Sequence, residues 1–94
     1  MKVIVLHRHA KRYFQRMPGD RQAQMRAALQ AVAALSEPAS SPNVRPMSGD
    51  WAGCLRLRVG SYRAILRVIP PELPEAPDGM LDVLLIGPRG DVYK

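Results

Sequence analysis

The sequence predicts an α+β fold: a helical hairpin packed on a mainly antiparallel four-stranded sheet, in the order β-α-α-β-β-β. Three observations carry this. Apolar residues recur at helical spacing between positions 8 and 36, and they alternate with arginines at strand spacing between 54 and 69. A polar, proline-punctuated stretch separates the two regimes.

The first element, residues 2–6 (Lys-Val-Ile-Val-Leu), is β-branched and apolar and reads as a short strand. From Arg8 to Met17 the residues Ala10, Phe14 and Met17 fall at i, i+4 and i+7, one face of a short helix, with Lys11, Arg12, Gln15 and Arg16 on the rest. Pro18-Gly19 interrupts it, and Asp20 reads as the N-cap of a second helix reaching Ser36, with Met25, Ala28, Leu29, Val32 and Leu35 as its buried stripe. Residues 37–46 cannot continue that helix and read as a crossover loop.

The period then drops to two. In Cys54–Val59 the residues Leu55, Leu57 and Val59 alternate with Arg56 and Arg58, so both arginines leave one face of a half-buried strand. Gly60-Ser61 is a hairpin turn, and the returning strand Tyr62–Ile69 places Arg63, Ile65 and Arg67 on the side opposite Ala64, Leu66 and Val68. Antiparallel pairing gathers Arg56, Arg58, Arg63 and Arg67 on one face. A proline-rich excursion over 70–79 carries three acids and is expected to be dispensable for activity. Leu81–Ile86 reads as an interior strand, apolar on both faces, and Arg89–Lys94 follows Gly87-Pro88 as a tail.

Ninety-four residues suffice for one small domain, 1–94, and are too few for two independent cores. No apolar run approaches a membrane span, and the opening residues make a poor signal peptide, so a cytoplasmic location is expected. Fourteen Lys and Arg against eight Asp and Glu give a net charge of +6, which points to an anionic partner. Eleven of those cations are arginine, whose planar fork matches phosphate and carboxylate, although a GC-rich genome produces the same bias. Cys54 is the single cysteine, so an internal disulfide and a cysteine metal site are excluded and no metal or cofactor is expected.

Three segments resemble the RelE/ParE toxin superfamily of bacterial type II toxin–antitoxin systems, more RelE than ParE. They are Ala10–Pro18 (AKRYFQRMP), Leu55–Ile65 (LRLRVGSYRAI) and Ile86–Tyr93 (IGPRGDVY), in an order and spacing that cover nearly the whole chain. The resemblance implies a ribosome-dependent endoribonuclease that cuts messenger RNA, has no membrane association, and is neutralised by a cognate antitoxin in a hetero-oligomer. It also implies that Arg56, Arg58, Arg63 and Arg89 are the site's cations and Tyr93 its terminal tyrosine. ParE-like relatives share the fold but poison DNA gyrase, and a decayed toxin acting as a basic binding module is a third expectation.

The chemistry assigns roles within that set. Attack of a 2′-hydroxyl on its phosphate needs a base, cations for the charge developing at phosphorus, and an acid for the leaving oxygen. Arg63 and Arg89 fit the charge-stabilising role, and Tyr93 fits base stacking or proton donation. Arg56, Arg58 and Arg67 fit substrate positioning, with Arg58 counted among the catalytic residues as well. Arg56 and Arg58 stand where active relatives often carry lysine, and Pro88 where they commonly carry histidine, so the base is the role left unfilled.

Plainer roles are expected beside these. Arg56 and Arg58 also fit the solvated side of a strand, Arg63 an ion pair with Asp91 or Asp82, and Tyr93 a ring packed on the sheet. His7 and His9 read as surface or capping residues, Trp51 as a core plug more than a stacking platform, and Cys54 as a small buried hydrophobe.

Overall fold

The computed structural model describes residues 1–88. The elements are β1 (Val3–Leu6), α1 (Arg8–Arg16), α2 (Gly19–Ala33), β2 (Val44–Pro46), β3 (Leu55–Val59), β4 (Tyr62–Ile69) and β5 (Met80–Pro88), with single 3-10 turns at Pro38–Ser40 and Gly49–Trp51. The sheet has five strands in the order β1-β5-β4-β3-β2, one more than the sequence predicts. β2 is the addition: three residues ending in proline, paired antiparallel to β3 with Arg45 opposite Arg56. Its brevity and the prolines around it conceal the alternation, and as an edge strand it tolerates Pro46. β1 pairs parallel to β5; all other pairings are antiparallel.

The turn between β3 and β4 is the predicted Gly60-Ser61, closed by the Val59–Tyr62 pair. Gly60 has φ +57°, the left-handed region that a two-residue turn of this kind requires of its first residue. β5 contains a bulge: Ile65 pairs with Leu85 and Leu66 with Val83, which leaves Leu84 unpaired. The extra residue explains why Leu81–Ile86 looks apolar throughout. Leu81, Val83 and, past the bulge, Ile86 all face the helices. Asp82 lies on the other face, so the strand is interior but not apolar on both sides.

The helices cover one face of the sheet. Ala10 and Met17 from the first helical segment, and Met25, Leu29, Val32 and Ala33 from α2, bury against Val44, Leu57, Val59, Ala64, Leu66, Leu81, Val83 and Ile86. The helical hairpin is also held at its turn. The Gln22 side-chain amide donates to the Phe14 carbonyl at 2.9 Å, and the Arg26 guanidinium stacks 5.4 Å from the centre of the Phe14 ring. Asp20 is not the N-cap. Pro18 holds that position with extended backbone dihedrals, and its carbonyl accepts the Gln22 N–H, while Asp20 sits exposed in the first turn. There its charge still favours the helix dipole.

α2 stops at Ala33, short of Ser36, and Lys2 bonds carbonyls at its end and just beyond it. The Lys2 backbone N–H donates to Ala33 O at 2.9 Å, and Nζ donates to Leu35 O at 2.8 Å and Ser36 O at 3.4 Å. With no basic residue in the last turn of α2, this buried ammonium supplies the cation that the helix end favours. Lys2→Met is therefore expected to lower unfolding free energy by about 1–3 kcal/mol, as for hydrogen bonds to a charged group. Urea denaturation followed by circular dichroism measures it.

The 70–79 excursion is built into the sheet at its second half. Ala76 is buried, Gly79 O accepts the Val3 N–H, and Asp78 pairs with the Met1 ammonium. That ammonium holds the Asp78 carboxyl below its ordinary value, chiefly by hydrogen bonding and then by charge attraction. The contact is present above the ordinary carboxylate range and is lost as pH falls through the lowered value. Residues 70–75 are exposed, so the excursion's ties to β1 lie in its second half. Trp51 does not plug the core: it is half-buried in its 3-10 turn, and Cys54 is half-buried as well.

Candidate functional site

The face of the sheet turned away from the helices carries the charged side chains of the strands. The five strands contain five arginines, Arg45, Arg56, Arg58, Arg63 and Arg67, and one acid, Asp82. Register places all of them on this face. Arg45 lies opposite Arg56, Arg58 opposite Arg63, and Arg67 opposite Asp82. Directly opposed like charges in a sheet are destabilising, so the Arg58–Arg63 pair holds positive potential that an anion would relieve.

The four strand arginines predicted to share a face do share it, in different environments. Arg63 is 7% exposed, and its Nη1 donates to Tyr62 O at 2.9 Å and Gly60 O at 3.4 Å. Those bonds fix the guanidinium against the hairpin turn while leaving its other donors uncommitted to those carbonyls. Arg58, its cross-strand neighbour, is exposed. Arg56 is half-buried beside Ile65, which is fully buried on this face. Arg67 differs: its Nη2 bonds Asp82 Oδ2 at 3.0 Å, so part of its charge is already neutralised. The acid expected for Arg63 is thus used elsewhere, because Asp82 stands opposite Arg67, four positions along β4. Asp91, the other expected partner, lies outside the described residues, as do Arg89 and Tyr93.

Two members of this face escape sequence reasoning. Arg45 is missed because β2 is missed, although the pattern Val44-Arg45 repeats the apolar-arginine step of β3; its Nη1 donates to Pro42 O at 3.0 Å and Val44 O at 2.9 Å. His7 is the second. It occupies the N-cap position of α1, as a capping role would have it, but makes no side-chain cap bond. Instead its Nε2 lies 3.3 Å from Asp82 Oδ2. His9 is exposed on α1.

The Gly60-Ser61 turn and the 70–79 excursion close opposite ends of β4. Arg58 and Arg63 lie at the turn end, and Arg67 lies toward the excursion. With about 3.3 Å per strand residue, the two ends of β4 are some 20 Å or more apart.

Comparison with known proteins gives the fold a name. The chain superposes on a chain of the crystal structure of the archaeal RelE–RelB complex from Pyrococcus horikoshii with a TM-score of 0.71 and 20% sequence identity, covering 96% of this chain and 97% of that one. A chain of the RelB–RelE antitoxin–toxin complex of Methanococcus jannaschii matches with a TM-score of 0.66 at 13% identity, covering 95% of this chain and 94% of the other. For the RelBE2 toxin–antitoxin complex of Mycobacterium tuberculosis the values are 0.58 and 19%, with 94% and 98% covered. No protein-family model and no curated protein matches the sequence. The fold is therefore that of the RelE structures, shared across almost the full length. Among the described residues no helix is long and apolar enough to cross a membrane.

Proposed function

We propose that this protein is the toxin of a type II toxin–antitoxin pair, a ribosome-dependent endoribonuclease that cuts messenger RNA and so stops translation. The observation that carries the reading is the arginine-lined face of a RelE-like sheet, where Arg58 and Arg63 stand opposed with Arg56 and Arg45 beside them. Phosphate is the anion such a face fits, since guanidinium forks bond its oxygens in pairs. In this reading Arg63, with Arg89, stabilises the charge that develops on the non-bridging oxygens. Arg58 and Arg56 position the chain, Arg67 supports its flank, and Tyr93 stacks on a base or gives a proton to the leaving oxygen.

An antitoxin follows from the same electrostatics. An acidic segment that folds on binding would cover the opposed arginines and relieve their repulsion, which matches a partner of the kind named in the complexes above. The assembly is then a toxin–antitoxin hetero-oligomer acting in the cytoplasm.

Induced expression in cells separates this reading from a gyrase poison. The expected result is growth arrest with messages cleaved inside translated frames, and loss of that cleavage when the start codon of the reporter message is removed. Double-strand DNA breaks with intact messages would assign the ParE-like activity instead. No growth defect would leave a binding module.

A further inference from the structure

The arginine face holds only part of the positive charge, and the cleavage chemistry gives the rest no task. α1 (Arg8–Arg16) carries Arg8, Lys11, Arg12 and Arg16 and contains no acid. All four are exposed, and none makes a hydrogen bond or an ion pair with another described residue. At about 100° per residue they fan across the side of the helix opposite Ala10 and, just past its end, Met17. Those two are buried against the sheet, and the rings of Tyr13 and Phe14 pack beside them. No ring stands among the outward cations.

Local physics opposes this arrangement. Arg8–Arg12 and Arg12–Arg16 are like-charge pairs at i, i+4, which weaken a helix. Arg8 faces the positive end of the helix dipole, the first turn has no acid, and His7 at the N-cap makes no side-chain cap bond. Of the four cations only Arg16, in the last turn, suits the dipole. Burial of the apolar side therefore holds α1 together against its own charge. A polyanion laid along the row would remove the repulsion. With a rise of about 1.5 Å per residue, Arg8, Arg12 and Arg16 stand about 6 Å apart along the axis, close to the step between successive phosphates of one strand. The patch continues onto α2 at Arg26, which stacks on Phe14, one turn after Lys11 and on the same side of α1.

We infer that the outer side of α1, extended by Arg26, docks the sugar-phosphate backbone of double-stranded RNA. The choice of RNA over DNA rests on the nuclease reading above; the choice of a duplex rests on the side chains. Long cations offer charge and donors to phosphate oxygens, while this side has no ring to stack an unpaired base and Gln15 as its one amide. A duplex turns its bases inward and presents rows of phosphates, which is what such a surface meets without reading sequence. The major groove of an RNA duplex is too deep and narrow for side chains to read, so α1 lies across its phosphate rim and not within it. The helices cover one face of the sheet and the strand arginines occupy the other, so a duplex on α1 leaves the arginine face open to a single strand. α1 then sets how tightly the protein engages structured RNA and has no part in breaking the bond.

Fluorescence anisotropy with a labelled RNA duplex of about 16 base pairs, titrated with the full-length protein at salt from about 50 to 200 mM, tests this. Arg8→Gln, Arg12→Gln and Arg16→Gln together are expected to weaken binding at the lowest salt by about tenfold or more. They should also reduce the slope of log affinity against log salt by about 2 to 3, roughly one for each lost phosphate contact. Arg12→Gln with Arg16→Gln serves if the triple variant does not fold, with a reduction of about 2. On programmed ribosomes the same variants should need more protein for half-saturation, with the saturated cleavage rate within about twofold of wild type. A salt slope unchanged by the substitutions would overturn the assignment. So would wild-type binding to a DNA duplex of the same sequence, to polyglutamate or to phosphatidylserine vesicles that is as tight as binding to the RNA duplex. The duplex measurement needs no cleavage, so message left intact by a wild-type protein that binds the RNA duplex would remove the nuclease reading and keep this one.

Discussion

Replacing Arg63 with alanine is expected to abolish toxicity and to slow message cleavage by about 100-fold or more, the scale for removing a fixed charge-stabilising donor. Arg63 is the strand arginine that is both held and buried. It is 7% exposed and bonded through Nη1 to the carbonyls that frame the Gly60-Ser61 turn. A donor fixed before the substrate arrives needs no reorganisation when charge develops at phosphorus. Arg58, opposite it and exposed, can follow the substrate but loses more side-chain freedom in doing so. Arg63→Lys, which keeps the charge and loses the fork, should fall between wild type and alanine. Loss of the two carbonyl bonds lowers stability by about 1–3 kcal/mol, so each variant is assayed below its own melting transition, set by circular dichroism. Wild-type cleavage by a folded Arg63→Ala protein would remove this residue from the site.

The largest effect on stability is expected at Gly79. Its φ is +87°, and a Cβ built there would lie 2.3 Å from Ile69 O and 3.3 Å from Pro70 C and Pro71 N. The obstruction is backbone, which cannot swing aside as a flexible side chain would. Moreover Gly79 is tied on both sides, its N–H to Ala76 O at 2.9 Å and its carbonyl to the Val3 N–H at 3.1 Å. Gly79→Ala combines a left-handed penalty with overpacking, about 2–4 kcal/mol in total. Thermal unfolding should move down by roughly 10–25 °C. By contrast Gly49 and Gly53 also have positive φ but have no atom within 4 Å of a built Cβ, so alanine there meets only the dihedral cost. A Gly79→Ala melting temperature within about 3 °C of wild type would show that the β4–β5 connection is looser than its contacts indicate.

The parts of this molecule that were legible in the sequence are those where local pattern and tertiary burial agree. Leu55-Arg-Leu-Arg-Val59 alternates without exception, and Gly60-Ser61 is the turn its register needs, so the arginine face could be drawn before the sheet was seen. The buried stripe of α2 was equally readable. Illegible features involve residues far apart in the chain or elements too short to show a period. β2 has three residues, and pairing with β3, not propensity, makes it a strand. Asp82 looked like a lone polar residue in an apolar run because a bulge at Leu84 shifts the facing of everything after it. His7 and Asp82 are 75 positions apart in numbering and meet only because β1 adds parallel to β5. Lys2 reads as the first residue of the opening strand; its role at the end of α2 appears once β1 is laid beside that helix.

These geometries also separate two populations of cations that net charge alone merges. Arg8, Lys11, Arg12, Arg16, Arg21 and Arg26 lie on the helices, where Arg26 stacks on Phe14. The strand arginines form the opposed rows of the other face. On the proposed nuclease function, the second population is the one that meets the scissile phosphate.

On the proposed function, this arginine face cuts messenger RNA while the message is held by a ribosome. Mapping the 5′ ends of one message after incubation with purified protein, with and without programmed ribosomes, tests it most directly. New 5′-hydroxyl ends are expected at the codon held in the ribosome, absent without ribosomes and absent with Arg63→Ala. An intact message on programmed ribosomes, from a protein that still arrests growth when expressed, would contradict it.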